Sequence, residues 1–301
     1  MPHAILVDLT ECVGCGACRD ACQQVHHFPQ EECTSLDAHN FTTLRKIETA
    51  DGQEVFARQM CQHCQDPACA SACLVGALEK TRDGAVTWDT DKCIGCRYCM
   101  VACPFDIPKY EWDTNNPKVR KCTMCYTERH LDADSKTDKE GYVLDRSGKR
   151  VSIDGRLVTA EDRDMIVEMT TNSDGKRATA CSVACPIGAT LYGERSELLA
   201  EAHRRIRSNP DSYVQKVYGQ TEVGGTSVFY LSSMPFEQLG FSTKLDTEAL
   251  PLRTWRVLEK LPDVILTAGV ALGAVYWITN RREDVRKFEE EVKNQRSQKK
   301  S

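Results

Sequence analysis

Residues 93–104 read CIGCRYCMVACP and decide the fold of this chain. Four cysteines are separated by two, two and three residues, and Pro104 follows the last of them. A cubane iron-sulfur cluster takes three thiolates from one tight loop and a fourth from elsewhere, and this spacing supplies both. The first three cysteines are therefore expected to wrap one cluster, while Cys103 reaches a second and Pro104 fixes the backbone behind it.

Four cysteine quartets recur along the chain, and residues 93–103 contain the third of them. The first repeats the gaps of two, two and three, the second has gaps of two, four and three, and the fourth is split by 55 residues. Cys33 alone lies outside the quartets, and we interpret it as an incidental thiol. The candidate ligands, quartet by quartet, are Cys12, Cys15, Cys18 and Cys22; Cys61, Cys64, Cys69 and Cys73; Cys93, Cys96, Cys99 and Cys103; and Cys122, Cys125, Cys181 and Cys185.

Disulfide bonds and zinc are the alternative explanations of the 17 cysteines. Disulfide frameworks typify short secreted chains, and tight quartets could not all pair without strain. Zinc sites usually close with two pairs of ligands and often include histidine, which does not explain three evenly spaced cysteines plus one. The pattern favours iron-sulfur clusters, and a zinc-binding scaffold is the rival that metal analysis would exclude.

The charge of the chain indicates that such clusters need compensation nearby. The formal net charge is −5, and four clusters of roughly −2 each would bring it to about −13. Cations next to ligand cysteines are placed to offset this charge. Those within two residues of a quartet cysteine are Arg19, Lys92, Arg97, Arg120 and Lys121.

The segments between the quartets predict an α+β fold. The opening HAILVDLTEC has the pattern of a short strand, residues 77–89 that of a hairpin turning at Asp83-Gly84, and Val228–Leu231 that of another strand. A helix is expected over residues 196–207, capped by Ser196. The alternation of cluster loop, short helix and hairpin is an internal repeat with the pattern of a two-cluster bacterial ferredoxin.

Residues 129–178 separate the two halves of the fourth quartet. They are hydrophilic, with hairpin signals at DRSGKR and SIDGRL. We expect a surface insertion that leaves the cluster geometry intact.

The C-terminal region predicts a membrane anchor. Val264–Thr279 contains sixteen residues without a charge, which span about 24 Å as a helix against a bilayer core of about 30 Å. Trp255 before this stretch and Trp277 at its end suit interfacial positions. A buried helix of a soluble domain is the alternative. The expected domains are residues 1–193 for the cluster domain, 194–250 for a wrapping extension, 251–280 for the anchor and 281–301 for a charged tail.

Charge around this helix predicts its orientation. Residues 281–301 contain eight Lys or Arg, and residues 241–263 contain four. The positive-inside tendency then places the tail in the cytoplasm and the cluster domain on the periplasmic side of a bacterial inner membrane.

Four quartets, the last one split, followed by the stretch EVGGTSVFYLSSMPFEQLGF and a terminal apolar helix, resemble the four-cluster iron-sulfur subunits of membrane-bound respiratory oxidoreductases. The resemblance extends to the formate dehydrogenase beta subunit and to the hydrogenase-2 subunit HybA, and it covers nearly the whole chain. The sequence departs from this family in its insertion and in having no export signal ahead of the first strand. The resemblance implies two bacterial-ferredoxin-like double-cluster modules plus one transmembrane helix.

The resemblance also implies which cysteines share a cluster. In this family the first quartet pairs with the fourth, and the second with the third. Four [4Fe-4S] clusters would then be held by Cys12, Cys15, Cys18 and Cys185; by Cys22, Cys122, Cys125 and Cys181; by Cys61, Cys64, Cys69 and Cys103; and by Cys73, Cys93, Cys96 and Cys99.

The function implied is electron transfer without catalysis. All-cysteine ligation saturates each iron, and the chain has neither a dinucleotide fingerprint nor nickel-type cysteine pairs beyond the quartets. The implied partners are a catalytic subunit with nickel-iron or a molybdenum or tungsten pterin, and a quinone-reactive or b-type cytochrome membrane subunit. The alternatives are a soluble polyferredoxin carrier and the electron-transfer subunit of another molybdopterin or multihaem cytochrome complex.

Overall fold

The computed structural model describes residues 1–49, 52 and 54–298. Its strands are β1 (His3–Asp8), β2 (Thr42–Glu48), β3 (Glu54–Met60), β4 (Leu78–Lys80), β5 (Val86–Trp88), β6 (Lys109–Tyr110), β7 (Val119–Arg120), β8 (Ser152–Ile153), β9 (Arg156–Leu157), β10 (Thr190–Glu194) and β11 (Val228–Leu231). Its α-helices are α1 (Ala17–Val25), α2 (Ala68–Ser71), α3 (Tyr98–Ala102), α4 (Tyr126–Arg129), α5 (Ala160–Met169), α6 (Ala180–Val183), α7 (Arg195–Ser208), α8 (Leu250–Leu258) and α9 (Leu261–Gln298).

The chain divides into two units, Met1–Pro251 and Leu252–Ser301. Residues 194–250 therefore belong to the same unit as the cysteine quartets. Of the predicted tail 281–301, residues 299–301 lie outside the described residues.

A three-stranded sheet with β1 at its centre organises the first unit. β10 pairs with β1 antiparallel and β11 pairs with it parallel, so that Ile5 lies opposite both Tyr192 and Val228. The strands predicted at the start of the chain and at Val228–Leu231 are confirmed.

The alternation of side chains along β1 gives the sheet two apolar faces. Ala4 and Leu6 pack with α7, in a cluster that includes Leu198 and Ala202. Ile5 and Val7 point to the other face, where they join a core that contains quartet cysteines. Because successive side chains of a strand point to opposite faces, one strand connects the supporting helix to the cysteine-rich core.

Helix α7 begins one residue earlier than the sequence predicts. Glu194 is its N-cap residue and its side chain does not cap the helix. The Ser196 hydroxyl instead donates to Glu194 Oε1 at 2.7 Å. The prediction of Ser196 as the cap is wrong because β10 runs directly into the helix and moves its start to Arg195.

Hairpins and very short helices separate the quartets. β2 pairs with β3, β4 with β5, β6 with β7 and β8 with β9, all antiparallel. The hairpin predicted over residues 77–89 is the β4–β5 pair, and the SIDGRL signal is the β8–β9 pair. Cys69, Cys99 and Cys181 lie on the one-turn helices α2, α3 and α6.

The insertion 129–178 is more than a surface excursion. Val143, Val158 and Ile166 form a small buried cluster together with Val25 of α1. Thr159 and Asp162 cap α5 with a reciprocal capping box. The sequence did not indicate this core because its apolar residues are scattered among charged ones without a helical or strand period.

The second unit contains the predicted anchor. α9 is continuous through Val264–Thr279, and the side chains of this stretch are exposed. Among the described residues, this region provides one helix long and apolar enough to cross a membrane. The exposure of its side chains argues against the alternative of a buried core helix.

Candidate iron-sulfur cluster sites

The four cysteine loops share one backbone feature. The residue before the second cysteine of each quartet has a left-handed conformation, with φ of +70° at Gly14, +47° at His63, +68° at Gly95 and +58° at Met124. Glycine adopts this conformation freely, whereas a side chain costs roughly 1–2 kcal/mol. Strain at His63 and Met124 indicates that the loop shape is required in all four quartets.

Glycine at two of these positions also answers a steric requirement. A Cβ on Gly14 would lie 2.3 Å from the Phe56 ring, and one on Gly95 would lie 2.4 Å from the Pro117 carbonyl oxygen. The two loops are therefore closed over by neighbouring chain as well as turned tightly.

Three cavities are each lined by four cysteines, and we call them site 1, site 2 and site 4. The cysteines are Cys12, Cys15, Cys18 and Cys185 at site 1; Cys22, Cys122, Cys125 and Cys181 at site 2; and Cys73, Cys93, Cys96 and Cys99 at site 4. Each group recruits at least one cysteine from a distant part of the chain, and the sharing of clusters that the resemblance implies stays a prediction.

The remaining four cysteines are also neighbours. Burial raises the pKa of Cys64, and Cys61, Cys103 and Cys69 raise it further through their charge. We call Cys61, Cys64, Cys69 and Cys103 site 3. The structure thus brings all sixteen predicted ligands into four groups of four.

Each site has a neighbouring site close enough for their cysteine charges to interact, in the succession 1, 2, 3 and 4. Cys18 of site 1 is influenced by the charge of Cys181 of site 2. Cys122 of site 2 is influenced in the same way by Cys61 of site 3, and Cys99 of site 4 by Cys69 of site 3. The exposed quartet cysteines are Cys15 and Cys96, which belong to the two end sites.

Without a bound cation, the thiols of these sites resist deprotonation. Burial, together with the charge of neighbouring cysteines, raises the pKa of Cys122 and of Cys103 to about 12. The pKa of Cys22 is raised well above its ordinary value, first by burial and then by Cys122 and Cys125. Because metal ligands must be deprotonated, these donors are suited to a strongly bound cationic centre.

The arrangement differs from that of a mononuclear metal site. In the described part of the chain, no three Cys, His, Asp or Glu side chains converge as the ligands of a single ion do. The four cysteines of a cubane each bind a different iron and so surround a volume instead of a point. A donor set of four thiols around each cavity fits such a cluster.

One of the predicted compensating cations is fully buried. Lys121 donates from Nζ to the Cys122 carbonyl oxygen at 2.9 Å and also to the Val86 carbonyl. Its charge lowers the pKa of Cys69 and of Cys122 against the effect of burial. It therefore lies between sites 2 and 3.

The other predicted cations interact mainly with different partners. Arg19 pairs with Asp20 at 2.8 Å, and Lys92 pairs with Asp89 at 3.0 Å. The Arg97 guanidinium lies 5.2 Å from the centre of the Tyr110 ring. Arg120 pairs with Glu111 and stacks over Trp88. Arg97 also lines site 4, whereas Arg19, Lys92 and Arg120 are not among the residues that line sites 1, 2 and 4.

Two cations that the sequence analysis missed lie against the sites. Arg58 is fully buried and lines both site 1 and site 2. Lys80 lies near Cys64 and Cys61, and burial lowers its pKa to about 8 although those cysteines oppose the shift. The signals available in the sequence were the position of Lys80 inside the predicted hairpin 77–89 and that of Arg58 three residues before Cys61.

Cys33 lies apart from the four sites. The charges that act on its thiol are those of Asp37, Glu31 and Arg19. Its surroundings agree with the prediction of an incidental thiol.

Comparison with known proteins gives one family model and several relatives. Residues 53–137 match the model of a 4Fe-4S dicluster domain. The chain is 34% identical over 296 residues to a protein of Nitratidesulfovibrio vulgaris, with 94% of this chain and 68% of the relative covered. It is 31% identical to the hydrogenase-2 operon protein HybA of Escherichia coli O157:H7, covering 85% of this chain and 77% of the relative.

A third relative is a formate dehydrogenase subunit. The chain is 29% identical over 243 residues to the iron-sulfur subunit of the nitrate-inducible formate dehydrogenase of Escherichia coli K12. This match covers 76% of the chain and 67% of the relative.

Proposed function

Because the chain belongs to the family of iron-sulfur electron-transfer subunits that includes HybA of hydrogenase-2 and the formate dehydrogenase iron-sulfur subunits, we propose that it carries four [4Fe-4S] clusters and relays electrons between a catalytic subunit and a quinone-reactive or cytochrome subunit of the membrane. The catalytic partner would be of the hydrogenase or formate dehydrogenase type.

The proposed ligands are the four cysteines of each site. Sites 1 and 2 would form one bacterial-ferredoxin-like module and sites 3 and 4 the other. The recurrence of the left-handed residue before the second cysteine in all four quartets supports this count. When bound, [4Fe-4S] clusters with four cysteine ligands supply one-electron transfer, since no iron position stays open for a substrate.

The observation that carries the proposal is the succession of neighbouring sites from 1 to 4 with an exposed cysteine at each end. Cys15 at site 1 and Cys96 at site 4 are exposed, whereas all four cysteines of site 2 are buried and those of site 3 are buried or half-buried. The end sites would therefore be the ones accessible to partners. Such an arrangement suits a relay with one entrance and one exit.

The residues around the sites perform three tasks in this function. Left-handed turns at the loops orient the cysteines, the core beneath β1 excludes water, and buried cations offset the negative charge of the ligands. None of these tasks activates a substrate, which agrees with a conducting role.

We propose that α9 anchors the protein in a bacterial cytoplasmic membrane as a single span. Trp255 precedes the uncharged stretch Val264–Thr279 and Trp277 lies near its end, and both suit the interface. The excess of Lys and Arg after the helix favours a cytoplasmic tail and a periplasmic cluster domain.

Anaerobic purification in mild detergent tests the proposal. We expect brown protein with about sixteen irons and as much acid-labile sulfide per chain, together with a co-purifying catalytic subunit. Colourless protein without sulfide would contradict the clusters, and zinc in their place would favour the structural scaffold.

Membrane extraction tests the anchor separately. The full chain is expected to stay in the membrane fraction after high-salt and carbonate washes and to require detergent for release. Complete release by salt would favour a soluble polyferredoxin-type carrier.

A further inference from the structure

Arg58 is a charged side chain in the interior of the cluster domain. Its exposed fraction is 1%, among the lowest of any charged residue described. Its Nε donates to Thr42 Oγ1 and its Nη1 to Thr190 Oγ1, both at 2.9 Å. The two hydroxyls hold the guanidinium in one orientation.

That orientation puts the guanidinium in the wall common to sites 1 and 2. Arg58 lines the cavity of Cys12, Cys15, Cys18 and Cys185 and also the cavity of Cys22, Cys122, Cys125 and Cys181. Thr42 lies with it at site 2, and Thr190 lies with it at site 1. The side chain therefore faces two sites at once.

One end of the guanidinium still lacks an acceptor. Nη2 is buried and has no hydrogen-bond partner of good geometry among the described residues. Cys18 of site 1 and Cys181 of site 2 act on Arg58 through the charge of their thiolate forms, and Cys181 also through a side-chain hydrogen bond; together they keep the pKa of Arg58 well above the ordinary value although burial opposes them. A buried donor that lacks a well-placed acceptor is costly, so the site calls for a further anion beside Nη2.

A purely structural role explains these features poorly. Thr42 and Thr190 need one donor each, which a neutral side chain could provide without burying a charge. Burying an unpaired guanidinium is strongly unfavourable. Negative charge beside the guanidinium offsets this cost, and clusters bound in the two cavities would supply that charge.

We propose that Arg58 compensates the charge of the clusters in both site 1 and site 2 and donates a hydrogen bond at their boundary, so that it raises the reduction potential of these two clusters together. The inference rests on the proposed function, since it requires clusters in both sites. Reduction adds negative charge to a cluster, and a fixed cation with a hydrogen bond favours the reduced form.

The strand pairing supplies a matched control for this residue. Arg58 lies opposite Leu44 across the β2–β3 hairpin, while the next pair is Arg45 with Ala57. Adjacent pairs point to opposite faces of a hairpin, so Arg45 faces away from the sites. Its Nη2 donates to the Leu239 carbonyl at 2.9 Å. Arg45→Met removes the same charge from the same hairpin.

The test is an EPR-monitored redox titration of the full chain in detergent, preceded by iron and sulfide analysis. Absence of clusters in the wild-type protein would refute the proposed function and the inference with it, whereas the variants below test the role of Arg58 alone. With clusters present, Arg58→Met is expected to shift two of the four midpoint potentials to more negative values, and by more than it shifts the other two. Arg45→Met is expected to leave all four in place.

Arg58→Lys keeps a cation but loses the fork of donors, so it is expected to shift the same two potentials by a smaller amount. If Arg58→Met loses iron, the potentials of Arg58→Lys test the inference instead. Unchanged potentials in the lysine and methionine variants would overturn the inference, as would a shift of one cluster alone or an equal shift of all four.

Discussion

The half of the cluster domain that holds sites 1 and 2 and the half that holds sites 3 and 4 share their loop geometry and differ in their surroundings. In the first half all four cysteines of site 2 are buried, and Arg58 lies between the two sites. In the second half Leu74 is 79% exposed and Val101 is 82% exposed, close in sequence to cysteines of site 4. The cysteine ligands determine the loop conformation, whereas the surrounding chain determines the solvent exposure and the local charge of each site.

This difference indicates that residues outside the cysteine motifs determine the reduction potential of each cluster and its exposure to solvent. Reduction potentials of iron-sulfur clusters depend on hydrogen bonds to sulfur, nearby charge and solvent exposure. The insertion and the central sheet pack on the first half, which still exposes Val13 and Ile187 at site 1, and the second half leaves more apolar side chains on its surface. We therefore expect substitutions of equivalent residues to have unequal effects in the two halves.

Loss of a ligand in the second half should have the largest effect. Cys99→Ala removes one thiol from site 4 and is expected to lose or convert one cluster, because the buried pocket has no replacement donor. Electron flow to quinone should stop, while dye-linked activity of the catalytic partner persists. Iron analysis and both activities check this.

Cys33→Ser is the matched control for cysteine loss. It is expected to leave iron content and both activities unchanged. Unaltered quinone-linked turnover in Cys99→Ala, or a lost cluster in Cys33→Ser, would show that the ligand assignment is wrong.

A buried ion pair attaches the insertion to the first half. The stability of this attachment is expected to depend on pH. His26 Nδ1 lies 2.5 Å from Asp154 and 3.5 Å from Glu128, and all three side chains are buried. Burial lowers the pKa of His26, but Asp154 and Glu128 raise it to about 9 against the opposing charge of Arg120. Because the folded pKa lies above the unfolded value of about 6.5, the pair contributes its full stability below pH 6.5.

This contribution should disappear as the pH rises through about 9. The shift corresponds to a change on the order of 3 kcal/mol, and it should appear as easier opening of residues 129–178. Tryptic cleavage within the insertion, normalised to an unfolded substrate, is expected to accelerate between pH 6.5 and 10. His26→Gln should cleave faster at low pH and show a flat profile; identical profiles for both proteins would contradict the assignment.

Gly14 and Gly95 occupy equivalent positions in their loops, one in each half of the domain. Alanine at Gly14 or Gly95 must adopt positive φ at a cost of roughly 1–2 kcal/mol. At Gly14 the added Cβ meets the movable Phe56 ring, and at Gly95 it meets the fixed Pro117 carbonyl. Gly95→Ala is therefore expected to lower the thermal midpoint of cluster loss more than Gly14→Ala does.

Gly76→Ala measures the cost of a positive φ without a steric clash. Gly76 has φ of +63° and nothing within 4 Å of the added Cβ. Its variant should lose the least stability of the three. A larger loss at Gly76 than at Gly95 would show that steric closure over the loop is unimportant.

The sequence predicted the quartets, the central strand β1, β11 and the hairpin β4–β5 because each of these follows from local pattern. It could not predict the buried core of the insertion or the position of Arg58. Those depend on pairings between residues far apart in the chain, such as Arg58 with Thr190 and His26 with Asp154. The error at Ser196 arose because the preceding strand, and not a cap, determines where α7 begins.

Site 4 offers a neutral counterpart to Arg58, and its substitution should have the smallest effect. Trp88 lines this site, and its Nε1 is buried without a hydrogen-bond partner among the described residues. A neutral donor stabilises a reduced cluster less than a cation does, since it carries no net charge. Trp88→Phe keeps the aromatic ring and removes the donor, so we expect a small negative shift of a single midpoint potential with iron content unchanged. A shift as large as that of Arg58→Met, or one spread over two clusters, would mean that the two halves are tuned by the same kind of contact after all.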